Sequence, residues 1–158
     1  MAENEIDRVW KLIEKIGFCM LSTHEGPDIR GRPMSAYANR GGHAIYFLTD
    51  AGSHKNAAIV SDPNVGLTFA DTSAQKYVSV SGHAAVSDDR AQIKELWSTP
   101  AKAWWKSPDD PSIRILKFTP TDAQYWDSPG AAVSYIKMAA AALSDSRPSI
   151  GHHGGTRL

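Results

Sequence analysis

Six short runs rich in β-branched and aromatic residues, at 18–23, 29–39, 44–49, 65–71, 76–87 and 113–119, are separated by turn residues rather than by long helices. The punctuation includes Glu25-Gly26-Pro27-Asp28, Gly41-Gly42 and Asp62-Pro63-Asn64, all chemistries that reverse a chain. A parallel pair of strands needs a crossover of about a dozen residues, usually a helix. Between strands only 53–61 and 88–99 read as helical. The pattern therefore predicts a mainly β, α+β fold: a six-stranded antiparallel barrel with flanking helices.

The flanking helices carry their own signals. Ile6, Val9, Trp10, Ile13 and Ile16 recur at three- and four-residue spacing, with Asn4 placed to cap the start and Gly17 to end the helix in a left-handed conformation. Asp88 ahead of Ile93, Leu96 and Trp97 predicts a capped helix with one apolar face. Residues 100–112, with Pro100, Pro108 and Pro111 around Trp104-Trp105, read as a long loop, and Ala131 to Leu143 as a last helix. A single domain over 1–143 and a flexible tail over 144–158 follow, the tail being Gly/His-rich.

Charge narrows the function classes. Lys+Arg and Asp+Glu both number 17, so the zero net charge argues against a protein built to hold nucleic acid or an anionic membrane. Any anion site must be local. No apolar run approaches the ~20 residues of a membrane span, and the start Met1-Ala2-Glu3-Asn4-Glu5 is acidic, so a cytoplasmic protein is expected. The single cysteine, Cys19, sits in the apolar run Phe18-Cys19-Met20-Leu21 and reads as a packed thiol. His24, His43, His83 and the pair His152-His153 lack metal-ligand spacing, and there is no nucleophile or carboxylate pair of catalytic pattern, so no catalytic residue is named.

One stretch stands out: Leu48-Thr49-Asp50-Ala51-Gly52-Ser53-His54-Lys55-Asn56, where a strand gives way to a helix. A helix start presents backbone N–H groups without partners and a partial positive charge, a ready anion site. Ser53 adds a hydroxyl and Lys55 a full charge, while Arg30 and Arg32 fall on one face of the preceding strand. The same residues also fit a plain N-cap and two solvated arginines. Three charge-assisted hydrogen bonds to a phosphate give roughly 5–9 kcal/mol, at about 1.5–3 each, which an association cost of about 4–15 kcal/mol can cancel. A useful ligand must therefore bring a large apolar or aromatic part. Among five tryptophans, Trp10 and Trp97 lie on apolar helical faces, whereas Trp104, Trp105 and Trp126 lie in or beside loops, where ligand, partner and packing roles all stay open.

The order of short motifs carries a resemblance. Arg32-Pro33-Met34-Ser35-Ala36-Tyr37, then Tyr46-Phe47-Leu48-Thr49, Ser53-His54-Lys55, the run from Tyr77 to Gly82, Asp88-Asp89-Arg90 and Tyr125-Trp126-Asp127 resemble the pyridoxamine 5′-phosphate oxidase-like FMN-binding split barrels. Within them the chain is most similar to the general stress protein 26 group, over about residues 5–128. The resemblance implies a split β-barrel and a homodimer with FMN at the interface; FAD stays open as a substitute. It implies that Arg32 and the backbone of Pro33, Met34 and Ser35 run along the flavin and its tail, that Leu48 and Thr49 lie beside the ring, and that Ser53 and Lys55 bind phosphate. His54 stands where the oxidases have Arg, Tyr77 where they have a flavin-contacting Gln, and Tyr37 where they have Lys; Trp126 joins the set. The oxidases' C-terminal Arg and His segment has no match after Trp126, which argues against vitamin B6 oxidation. Two functions share these residues: electron transfer between a reduced donor and a small acceptor, and flavin holding or sensing without turnover. An interaction domain with an empty barrel is the third reading.

Overall fold

The computed structural model describes residues 4–144 and 147–158; the acidic start 1–3 and the pair Asp145-Ser146 of the expected tail lie outside the described residues. Helix α1, Glu5–Ile16, begins and ends where its sequence signals place it: Asn4 Oδ1 accepts from Asp7 N–H at 2.7 Å, and Gly17 takes φ 74° while its N–H reaches Ile13 O. Val9, Trp10, Leu12 and Ile13 bury the apolar stripe of this helix.

Four helices flank one antiparallel sheet that does not close. The sheet has eight strands rather than six: β1 Phe18–Glu25, β2 Asp28–Ser35, β3 Tyr37–Asn39, β4 Ala44–Asp50, β5 Asn64–Asp71, β6 Lys76–Ser87, β7 Ile113–Asp127 and β8 His152–Arg157. The order is β2-β1-β5-β6-β7-β4-β3, with β8 on the remaining edge of β7. The expected strand 29–39 is two strands. At Ala36, whose N–H donates to Gly17 O at 2.8 Å, the chain leaves one end of that order and enters the other. This step is the split of the barrel.

Strand β7 runs to Asp127, well past the expected end at 119. Its first half pairs β4, from Ile113↔Asp50 to Phe118↔Ile45, and its second half pairs β8, from Asp122↔Arg157 to Asp127↔His152. The strand survives Pro120 because the register with β6 shifts there, between Ser81 and Gly82, and a bulge tolerates a residue without an N–H. The segment 144–158, expected to trail from the domain, holds β8, and Leu158 N–H donates to Thr121 O at 2.9 Å.

Helix α2 is His54–Ser61, α3 is Arg90–Leu96 and α4 is Ala131–Ser144. The cap of α3 is Asp89, accepting from Gln92 N–H, not Asp88, which pairs with Arg90 at 2.6 Å and Arg114 at 3.7 Å. The expected loop 100–112 opens with a short 3-10 helix, Thr99–Ala103. Arg90 ties down its far end by donating to the carbonyls of Asp110, Pro111 and Ile113.

Two clusters make up the core. The larger fills the barrel, with Leu21, Ile45, Phe47, Phe69, Phe118 and Tyr125 against α1 and Cys19 beside them. The smaller lies outside the barrel wall, where Ala44, Tyr46 and Leu48 meet Ile93, Ile113 and Ile115. Strand β4 faces both, which explains its unbroken apolar run. The Cys19 thiol is buried, and desolvation pushes its pKa up to about 12.

Gly82 sits where a Cβ would lie 2.3 Å from Thr119 O and 2.7 Å from Phe118 Cζ, whereas a Cβ at Gly66 meets nothing within 4 Å. Gly82→Ala is expected to cost about 1–3 kcal/mol of unfolding free energy by overpacking, and Gly66→Ala far less. Urea denaturation of the two variants checks the contrast.

Candidate functional site

Strand β4 ends by turning Thr49 inward and passing through Asp50-Ala51-Gly52 into α2. The turn is fixed by Ser53 N–H to Asp50 O at 3.1 Å and by Asn56 Nδ2 to the same carbonyl at 2.8 Å. Ser53 stands at the N-cap position, but its side chain does not cap the helix. Its Oγ instead accepts from Lys55 Nζ at 2.8 Å, and Lys55 also donates to Thr49 Oγ1. Thr49 is 3 % exposed and Lys55 9 %. An ammonium is thus drawn into the protein by two hydroxyls.

No carboxylate pairs with it among the described residues. Glu25, at the end of β1, is occupied by both arginines of β2: Arg30 Nε at 2.6 Å and Arg32 Nη2 at 3.1 Å. Arg32 also donates through Nη1 to Thr23 Oγ1 at 2.9 Å. Burial lowers the Lys55 pKa to about 8, helped by the positive charge of Arg32 and opposed by Asp50. A cation held without an anion is what an incoming anion would complete.

Beside Lys55 opens a cleft of about 360 Å³. Pro33, Met34, Ser35 and Tyr37 form one part of its lining, and Leu48, Thr49 and Asp50 another. A third wall comes from the 3-10 segment and its exit: Pro100, Ala101, Trp104 and Trp105. The hydroxyls of Tyr37 and Ser98 lie 2.9 Å apart in hydrogen bond, joining β3 to the start of that segment. The cleft is therefore cationic at one end and aromatic at the other.

Of the residues singled out in sequence, Pro33, Met34, Ser35, Leu48, Thr49 and Lys55 line this cleft, Ser53 binds the ammonium, and Arg32 adds its field. His54 points elsewhere, lining a groove with His24, Glu25 and Gly26. Tyr77 and Trp126 do not line the cleft within one chain. They are register partners on β6 and β7, and Trp126 stacks on His153 with centroids 4.7 Å apart. The outward positions of β1, β5 and β6 are Phe18, Met20, Ser22 and His24; Asn64, Gly66, Thr68 and Ala70; and Tyr77, Ser79, Ser81, His83 and Ala85. None is Asp, Glu, Lys or Arg, and Phe18 is 62 % exposed. Pro33 and Ser35 pair with Met20 and Phe18, so this uncharged face runs up to the cleft.

The cleft wall at Pro100 and Ala101 was not foreseen in sequence, whereas Tyr37, placed by the resemblance where the oxidases have Lys, does line the cleft. The Trp104-Trp105 pair between prolines was the available signal.

Residues 4–149 match the family described as pyridoxamine 5′-phosphate oxidase like. A solved structure described as general stress protein 26 from Jannaschia sp. CCS1 is 26 % identical, superposes with a TM-score of 0.79 and covers 97 % of this chain and 98 % of its own. The general stress FMN/FAD binding protein from Xanthomonas citri is 25 % identical, with a TM-score of 0.67 over 76 % of this chain and 86 % of that one. Protein bli-3 of Neurospora crassa is 24 % identical over 144 residues, 84 % of this chain and 69 % of that protein.

Because the folded pKa of Lys55 is lowered, its charge costs stability below about pH 8, and that cost fades as pH rises toward the unfolded value of 10.5. Anion binding has the opposite dependence, since it needs the charged form. Sulfate, a dianion throughout this range, is expected to bind more weakly as pH climbs past about 8 in calorimetric titrations. Lys55→Met is expected to abolish that pH dependence and to raise the melting temperature of the ligand-free protein at pH 7.

Proposed function

The chain belongs to the pyridoxamine 5′-phosphate oxidase like family, and we propose that it is a flavoprotein of the general stress type that holds FMN in the cleft at the β4–α2 junction. The observation that carries this reading is the buried, unpaired ammonium of Lys55 between Thr49 and Ser53. A phosphate dianion there replaces the water lost by Lys55, accepts from Ser53 and Thr49, and lies in the field of Arg32. The aromatic and apolar remainder of the lining fits the rest of the nucleotide, and a volume of about 360 Å³ suits one ligand rather than two.

When bound, a flavin supplies the electron-transfer chemistry. The protein's part is to grip the phosphate with Lys55, Ser53 and Thr49, lay the tail along Pro33, Met34 and Ser35, and seat the ring against Leu48 and Tyr37. The proposed reaction is oxidoreduction between a reduced donor, such as a nicotinamide, and a small acceptor. Vitamin B6 oxidation is disfavoured in this reading, because among the described residues of one chain this lining offers Lys55 as its only cationic side chain, engaged by the phosphate.

The proposed assembly is a cytoplasmic homodimer. The uncharged outward face of β1, β5 and β6 favours a self-complementary contact, with its exposed Phe18. That face carries Tyr77, with Trp126 next to it on β7, so these two residues reach the cofactor from the second copy. His54 stays outside the phosphate grip in this reading.

A second reading, flavin holding without turnover, is favoured by the lining itself. Among the described residues of one chain, Asp50 is the only acid in this lining and no histidine joins it, so the lining is poorer in proton donors than in binding groups. NADPH oxidation above the free-FMN background separates the two.

Purified protein loaded with FMN is expected to be yellow. Lys55→Ala should weaken FMN in fluorescence titrations by about 1.5–3 kcal/mol, the worth of a charge-assisted hydrogen bond, Arg32→Ala, which acts only through its field, by less, and both should leave riboflavin nearly unchanged. Equal losses for the two ligands would refute the phosphate assignment.

A further inference from the structure

Trp104 is 80 % exposed, yet it lies on the lip of the cleft rather than on open surface. It leaves the 3-10 helix Thr99–Ala103, whose Ala101 is buried and whose carbonyl accepts from both Trp104 and Trp105 N–H at 3.0 Å. The start of the segment is pinned by the bond between Tyr37 and Ser98, and the far end of the loop that follows it is held by Arg90 through three backbone carbonyls. The segment thus carries a large indole into water where the cleft that Lys55 also lines opens beside it. Its neighbour Trp105 is packed into the wall, with a buried Nε1 that has no hydrogen-bond partner. The four residues of this wall, Pro100, Ala101, Trp104 and Trp105, carry no charge and offer mostly apolar and aromatic surface, which suits a planar aromatic group.

Resting on the FMN reading, we propose that Trp104 is the outer face of the ring-binding end: it stacks on the planar ring of the ligand whose phosphate lies on Lys55. The ligand is bound in two chemically separate halves, phosphate by β4 and α2, ring by the 3-10 segment. Trp104 removes the outer ring face from water and thereby restricts what reaches it. It is a positioning and access residue, and no proton or electron is assigned to it.

Separate probes address the two halves. Trp104→Ala is expected to lower the affinity for FMN and for riboflavin by the same factor, about tenfold, the order found for stacking of planar bases on aromatic side chains. Trp104→Phe should retain most of the affinity, and sulfate binding should be unchanged in both. Emission of bound FMN, quenched by the adjacent indole in the wild type, should brighten in Trp104→Ala and become more accessible to iodide. Because Trp104 is exposed, both variants should melt with the wild type. Wild-type-like affinity and unchanged iodide quenching in Trp104→Ala overturn this proposal and leave the FMN reading intact. A wild type that binds sulfate but neither flavin overturns both.

Discussion

A single ammonium buried against two hydroxyls, with no ion-pair partner among the described residues, sets the character of the β4–α2 junction. Taking Lys55 out of water is unfavourable, and the surroundings show how the cost is limited. Thr49 turns its hydroxyl inward at the end of β4, and Ser53 gives its Oγ to the lysine instead of to the helix it precedes. Glu25, at the end of β1, is taken by Arg30 and Arg32 on the neighbouring strand. The arrangement is poorly stabilised as it stands and well arranged for an anion, a common relation between binding sites and the folds that carry them.

The barrel supplies the rigidity this requires. Strand β4 is buried on both faces, by Ile45 and Phe47 within the barrel and by Tyr46 and Leu48 outside it. Thr49 is therefore fixed by packing on either side, and the lysine that depends on it inherits that precision. The outer layer that covers β4, α3 and the segment after it, is also what raises the aromatic wall of the cleft. One covering layer thus buries a strand and forms half of a site.

Sequence made visible whatever is local. Asn4 and Gly17 bracket α1 because capping chemistry acts within a few residues, Ser53 and Lys55 could be named because a helix start leaves a short pattern, and Pro33 and Ser35 came only with the family resemblance of their motif. Long-range features stayed hidden. Pro120 reads as the end of a strand, but a bulge against β6 carries β7 seven residues further. The glycines and histidines of β8 have no strand signature; they pair with β7 because Gly154 fits where a Cβ would strike Glu5 and Tyr125, and because the rings of His152 and His153 stack on Tyr125 and Trp126. Pro100 and Ala101 reach the cleft only through the path of α3, and the count of arginines on β2 could not show that Glu25 holds both.

Cys19 has a consequence of a different kind. Nearly all thiol oxidation proceeds through the thiolate, and a group with a pKa near 12 supplies roughly one part in 10⁵ of that form at neutral pH. Burial thus makes Cys19 a poor target for peroxide or disulfide exchange, and its sulfur serves the packing of the barrel rather than redox chemistry.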